Sequence, residues 1–251
     1  MGSCPLLTAL LSDIHGNLEA LNACLDHARS RGAERFVFLG DLVGYGADSR
    51  KVVEIVAGYA AEGAIVIKGN HDEAIEASGG YFNDASRAAL DWARETLSQE
   101  QRRFLASLPL VVRDATVCYV HASAVAPDRW DYIDSPAAAK RCVDAANACY
   151  TFCGHLHDQV LYFENAQGRM SEFRPFPGTA IPVRSHRRWV AIVGSVGQPR
   201  DRNPAAAYAM FDLEAQQLTF FRVPYDAMAA ADRIRQCGLP GSLAYRVELG
   251  I

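Results

Sequence analysis

The sequence predicts an α/β fold in which two β-sheets pack together with helices outside. Three observations carry this. Short apolar runs alternate with helical patterns at the start of the chain, the texture changes to alternating runs joined by turns from Leu161 onward, and no repeat, low-complexity tract or Pro/Gly linker splits the chain. A chain of 251 residues, half of them hydrophobic, can bury one substantial core, so a single domain over residues 1–251 is expected.

The runs at 6–11, 36–39 and 65–67 are aliphatic and β-branched, too short for helices, and flanked by Gly or polar residues; they read as buried strands. Between them, Leu18, Leu21, Ala23, Leu25 and Ala28, then Val52, Val53, Ile55, Val56 and Tyr59, recur at helical spacing. The opening is therefore β-α-β-α-β, which implies a parallel sheet. Gly32 and Gly63 suit the ends of the two helices, and Asp48 or Ser49 is placed to accept from the free amides that start the second. Residues 84–107 read as helix with a new start near Ser98, where Glu100 and Gln101 follow. Strands recur at 117–120 and 150–153. From Leu161 the runs 161–163, 170–173, 189–193, 208–211 and 218–223 predict a second, more antiparallel sheet, with a turn at Asn165-Ala166-Gln167-Gly168. Residues 226–237 read as a helix ended by Gly238, with a short tail beyond it.

Composition excludes several classes. No apolar run reaches the roughly eighteen residues of a membrane span. No basic segment precedes the first apolar run, and Met1-Gly2-Ser3-Cys4-Pro5-Leu6 lacks the Ser or Thr of a myristoylation signal, so neither export nor a lipid anchor is expected. Seven cysteines without a CxxC pair fit reduced thiols and a cytoplasmic location, with Cys118, Cys149 and Cys153 as small core residues. A net charge of -4 offers no broad basic face, so stable nucleic-acid binding is not expected. An anionic substrate must be drawn by local charge, which bound metal supplies.

The chemistry lies in the residues immediately after each strand: Asp13-Ile14-His15, Gly40-Asp41, Gly69-Asn70-His71-Asp72, His121, and Gly154-His155-Leu156-His157. In an open α/β sheet the carboxyl ends of parallel strands gather along one edge, so these distant segments can meet in one crevice. Five of the chain's seven histidines belong to the set. In an extended segment Asp13 and His15 project the same way and can grip one cation, as can His155 and His157. Carboxylate, imidazole and amide donors together fit Mn, Fe or Zn better than Mg or Ca.

This order of motifs, DxH, GD, GNH[DE], a later His and GHxH, resembles the calcineurin-like metallophosphoesterases. With Gly194-Ser195-Val196-Gly197-Gln198-Pro199-Arg200, the likeness to a small bacterial phosphodiesterase branch extends through almost the whole chain. The resemblance implies a four-layer αββα sandwich with two mixed sheets and two transition-metal ions. It places Asp13, His15 and His157 on one ion, Asn70, His121 and His155 on the other, and Asp41 between them. It also implies hydrolysis of a phosphodiester, phosphomonoester or phosphoanhydride by a metal-bridging hydroxide. His71 resembles the residue that protonates or neutralises the leaving oxygen, with Asp72 orienting it.

Outside the signature, Arg200 is a candidate for binding substrate phosphate and Tyr45 for stacking on a base or aryl group. Arg184, Arg187 and Arg188 read more readily as solvated loop charge. Trp130 and Tyr132 fit a pocket wall or a subunit contact, leaving room for a homo-oligomer, although core packing is the commoner fate of such aromatics. His27 and His186 read as ordinary surface residues. The expected substrate is a small phosphorylated molecule of nucleotide type. The competing readings are a protein serine/threonine phosphatase and a catalytically weak metal-binding scaffold.

Overall fold

Strand alternation decides the layering. A computed structural model describes residues 7–77 and 82–251; Leu6 of the first expected strand and the rest of the amino-terminal hexapeptide lie outside them. The chain runs β1 (Thr8–Leu11), α1 (Leu18–Ser30), β2 (Arg35–Phe38), α2 (Ser49–Ala61), β3 (Ile65–Val66) and a single helical turn α3 (Asn70–Glu73). It continues through α4 (Asp84–Thr96), α5 (Gln99–Ser107), β4 (Val111–Asp114), β5 (Val117–Val120), α6 (Pro136–Ala146), β6 (Tyr150–Cys153), β7 (Gln159–Glu164) and β8 (Met170–Phe173). It ends with β9 (Ala180–Pro182), β10 (Trp189–Val193), β11 (Ala206–Asp212), β12 (Gln217–Val223), α7 (Ala227–Gln236) and α8 (Gly241–Leu249).

Two mixed six-stranded sheets result, ordered β3-β2-β1-β11-β12-β9 and β4-β5-β6-β10-β7-β8. Strands β1, β2 and β3 are parallel in the first, and β5, β6 and β10 in the second. The alternating strands after Leu161 therefore do not form a sheet of their own. Strands β7, β8 and β10 extend the second sheet, while β9, β11 and β12 complete the first, with β11 pairing antiparallel to β1. Periodicity reports which faces are buried and leaves the pairing partner open.

Between the sheets, Leu10, Val37, Leu39, Tyr119, Phe152, Phe211 and Phe220 form one core. The next residues along the strands point the other way: Ala9, Leu11, Phe36 and Phe38 pack against α1, α2, α4 and α5, and Cys118, Val120, Cys153 and Ile192 against α6. This is the αββα sandwich. Both faces of each sheet are covered, which explains why the strands read as continuous apolar runs.

Asn17 accepts from Ala20 N at 3.1 Å to start α1, and Ser98 and Gln101 form a reciprocal cap at α5. Asp48 occupies the N-cap position of α2 without making that bond, because its carboxylate is turned to Arg233, 3.2 Å away, and Lys51, 3.5 Å away. The tail beyond Gly238 is the helix α8, whose Leu243, Ala244 and Val247 are buried in a cluster shared with Ala230, Ala231 and Ile234 of α7. Helix α6, capped by Ser135 with Pro136 in its first turn, is a further element beyond those expected from the sequence pattern. No helix among the described residues is long and apolar enough to cross a membrane.

Candidate metal centre

All six parallel strands deliver residues to one place. Asp13 follows β1, Asp41 follows β2, Asn70 and His71 follow β3, His121 follows β5, His155 and His157 follow β6, and Gln198 and Arg200 follow β10. The crevice lies at the carboxyl ends of both parallel triplets. Asp13, His15, Asp41, His121, His155 and His157 are each 8% exposed or less.

The loops are not extended. Asp13, His15, Asp41, His155 and His157 have φ of 52°, 49°, 54°, 65° and 70°, the left-handed region that Asp and His enter more readily than most residues. The expectation that His155 and His157 grip one cation is therefore overturned. His157 Nε2 lies 3.4 Å from Asp13 Oδ1 and 3.2 Å from His15 Nε2, whereas His155 Nδ1 lies 3.2 Å from His121 Nε2. Asn70 Oδ1 is also 3.2 Å from His121 Nε2. Two donor groups form, and Asp41 stands between them, with Oδ2 at 3.7 Å from His15 Nε2 and 3.4 Å from His121 Nε2.

These residues fit metal ions. Donors bound at about 2.1 Å to a six- or four-coordinate ion lie roughly 3.0 to 3.4 Å apart along the polyhedron edges, close to the spacings here. Nδ1 of His15, His121 and His157 faces the carbonyls of Val43, Leu39 and Gln198 at 3.1, 2.7 and 2.6 Å. A carbonyl only accepts, so each Nδ1 carries a proton, and on His15 and His157 that leaves Nε2 with a lone pair turned inward. Burial first, then the charges around them, holds His15 and His157 well below the usual histidine range, so no proton separates the two facing lone pairs. A cation resolves that opposition.

The carboxylates are fixed the same way. Asp13 Oδ2 accepts from His155 N at 3.0 Å and Asp41 Oδ1 from His71 N at 2.8 Å, leaving Oδ1 and Oδ2, respectively, toward the imidazoles. Burial raises Asp13 to about 6. Burial opposes the charge on His121, but Asp41 and then Asp13 outweigh it and lift that ring to about 9. Buried charge of both signs thus accumulates where ions would sit. Gly69 and Gly154 let the backbone pass: a Cβ would fall 2.2 Å from Asp41 Oδ1 at the first and 2.3 Å from Asp13 Oδ2 at the second.

The model of the calcineurin-like phosphoesterase superfamily domain matches residues 6–216. The chain belongs to this superfamily. A metallophosphoesterase from Sphaerobacter thermophilus is 35% identical, with a TM-score of 0.88 over 98% of this chain and 99% of that one. An uncharacterized protein of Methanocaldococcus jannaschii is 32% identical over 97% of this chain and 98% of its own length. A hypothetical protein from Pyrococcus horikoshii shares the fold, with a TM-score of 0.79 at 24% identity over 98% of each chain. The superfamily and the clustered His and Asp side chains make this a metal-dependent phosphoesterase.

Around the calcineurin-like centre, Asp72 does not hold His71. Its carboxylate accepts from the backbone of Asp41, Leu42 and Gly69 at 2.8, 2.9 and 2.9 Å, while His71 Nδ1 is buried without a hydrogen-bond partner. Asp72 therefore positions the Asp41 and Gly69 loops. The His71 ring packs between His15, Tyr45 and Phe82, with centroids 4.8, 4.6 and 5.0 Å away. Tyr45 and Arg200 line the cavity of about 310 Å³ over the centre, together with His71, His155 and His157. Tyr132, 51% exposed, stacks on His155 at 4.2 Å, and Trp130 meets the edge of His121 at 5.9 Å, so both form the rim and neither packs in the core.

The remaining candidates lie elsewhere. Arg188 pairs with Glu164 and Asp144, and Arg187 lies over Phe163, as structural surface charge. His186 is exposed, but His27 is half-buried, with Nδ1 2.6 Å from the Tyr208 hydroxyl and its ring against Phe221. Four cavity residues belong to no motif legible in the sequence: Phe82, Asn83, Ser86 and Arg246 of α8. The Leu243–Val247 spacing of four is the available signal for α8, but nothing in the sequence says where that helix docks.

Proposed function

We propose that this protein hydrolyses a small phosphorylated substrate of nucleotide type, a phosphodiester, phosphomonoester or phosphoanhydride, at a pair of Mn, Fe or Zn ions. Asp13, His15 and His157 would hold one ion and Asn70, His121 and His155 the other. The supporting observation is the position of Asp41 Oδ2, 3.7 Å from His15 Nε2 in one donor group and 3.4 Å from His121 Nε2 in the other, where one carboxylate would serve both sites. The mixed nitrogen and oxygen donors favour transition metals over Mg or Ca. Bound there, two ions supply a nucleophile from water near neutral pH and neutralise the phosphoryl oxygens.

The chain's own residues do the rest. His71 stands beside Asp41 and is held below its usual range by burial and the charges of His121 and Arg200, against the pull of Asp41. In this reading its ring N–H meets the oxygen that leaves with the electron pair of the broken P–O bond. Arg200 and Tyr45 lean on each other, the guanidinium 5.9 Å over the ring, and face the phosphoryl group from the same side of the cavity. A neighbouring cavity of about 490 Å³ shares Asn70 and His155 with the centre and is lined by Phe82, Trp130 and Tyr132, which suits a planar base or aryl group.

The test is elemental analysis of protein loaded with Mn, followed by turnover of bis-aryl phosphate, mono-aryl phosphate, a dinucleoside polyphosphate and a phosphopeptide. Two metals per chain with turnover of the small substrates is expected. Activity on the phosphopeptide alone would make the protein a protein phosphatase, and total inactivity with two metals bound would make it a scaffold.

A further inference from the structure

The last helix reaches the cleft, beyond the residues matched by the superfamily model. We propose that Arg246 and Arg200 form a clamp for a second phosphoryl group beside the scissile one, which makes the site one for pyrophosphate-linked substrates. The inference rests on the phosphoesterase reading and names the substrate class within it.

Both arginines line the same cavity as Asp41, Asn70, His71 and His157. Other arginines nearby have carboxylate partners: Arg222 with Asp201, Arg233 with Asp48 and Arg235 with Glu248. Arg200 and Arg246 have none among the described residues. Arg200 Nε is buried without an acceptor, and so is Nε2 of Gln198 beside it. Donors left in this state at a cleft call for an anionic acceptor.

The pair is built as one piece. Gln198 accepts from Arg200 through Oε1 at 3.3 Å and from His157 Nδ1 through its carbonyl at 2.6 Å, tying Arg200 to a candidate metal ligand. Arg202 N donates to Gly250 O at 2.7 Å, and Gly250 N donates to Arg246 O at 2.8 Å, tying the Arg200 loop to the end of α8. Leu243, Ala244 and Val247 bury one side of that helix, and Arg246, half-buried beside them, stands at the cavity wall.

In hydrolysis of a P–O–P linkage, water oxygen bonds to the attacked phosphorus while the bond to the bridging oxygen breaks. The electron pair departs with the second phosphoryl group. Its growing negative charge falls where two guanidinium forks can meet it. A simple monoester has nothing to place there.

Calorimetric titration of the Mn-loaded protein with imidodiphosphate and with orthophosphate tests the clamp. Arg246→Ala should weaken imidodiphosphate binding by about tenfold or more and orthophosphate by no more than about twofold, with Arg246→Lys recovering part of the loss. An unchanged thermal midpoint checks folding; should Arg246→Ala not fold, Arg246→Gln decides on the same criterion. Equal losses for both probes, or no loss for either, overturn the clamp. Turnover of bis-aryl phosphate, mono-aryl phosphate and a dinucleoside polyphosphate by the wild type is measured alongside: absence of all three tells against the phosphoesterase reading, and imidodiphosphate selectivity still decides the clamp.

Discussion

Replacing Asp72 by Asn removes one oxygen from a carboxylate that accepts three backbone hydrogen bonds. Oδ2 serves Asp41 N and Gly69 N, so the amide oxygen keeps that position and the new NH2 group confronts Leu42 N donor to donor. Losing one bond to a charged acceptor costs about 1.5–3 kcal/mol, and the stranded Leu42 amide brings the total to roughly 3 kcal/mol. In a chain of this length each kcal/mol moves Tm by about 2–4 °C, so a fall of about 6–12 °C is expected. Leu42 is bonded directly to Asp41 in the chain, and a shift there reaches both donor groups; supporting residues of this kind cost about 10- to 100-fold in metal affinity. Scanning calorimetry on metal-free protein and metal content after dialysis against buffered Mn measure the two effects. Loss of rate with Tm and metal content unchanged would refute the reasoning and return Asp72 to a role acting through His71.

Asp41→Asn should lower both metal content and rate, whereas His71→Ala should keep metal content near normal and lose roughly 10²- to 10⁴-fold in rate; equal metal loss in the two variants, by elemental analysis, would undo this division of roles. Gly69→Ala places a Cβ 2.2 Å from Asp41 Oδ1 and 2.3 Å from its backbone nitrogen, so equilibrium dialysis should find weakened metal binding. A Gly69→Ala protein with full metal stoichiometry and wild-type affinity would contradict that geometry. Chelation leaves Asp13 and Asp41 buried with His121 as their remaining counter-charge, and free metal at about one hundred times Kd contributes about 2.7 kcal/mol per site. Calorimetry should therefore show Tm falling with chelator and recovering with Mn; a Tm indifferent to both would mean that the cluster is not a metal centre.

Much of the fold is legible because the strands are covered on both faces. Continuous apolar runs at 36–39, 117–120 and 150–153 mark buried parallel strands whatever their neighbours. The helix ends at Gly32, Gly63 and Gly238 are equally local, each with positive φ after the last turn. What periodicity cannot say is which sheet a strand joins. Strands β11 and β12 form where expected, yet they complete the sheet begun by β1 rather than a second one, since β11 takes its register from β1, more than one hundred residues away.

The sequence by itself determined the type of chemistry, because the donor residues stand at strand ends and a parallel sheet brings such ends to one edge regardless of loop detail. Only the tertiary structure decided how those donors are shared. Left-handed backbone at His155 and His157 sends the two rings to different groups, the Asp72 carboxylate is taken up by three amides before it can reach His71, and the packing of α8 brings Arg246 to the cleft. Each of these depends on contacts between segments far apart in the chain, and such contacts leave no period or spacing in the sequence to read.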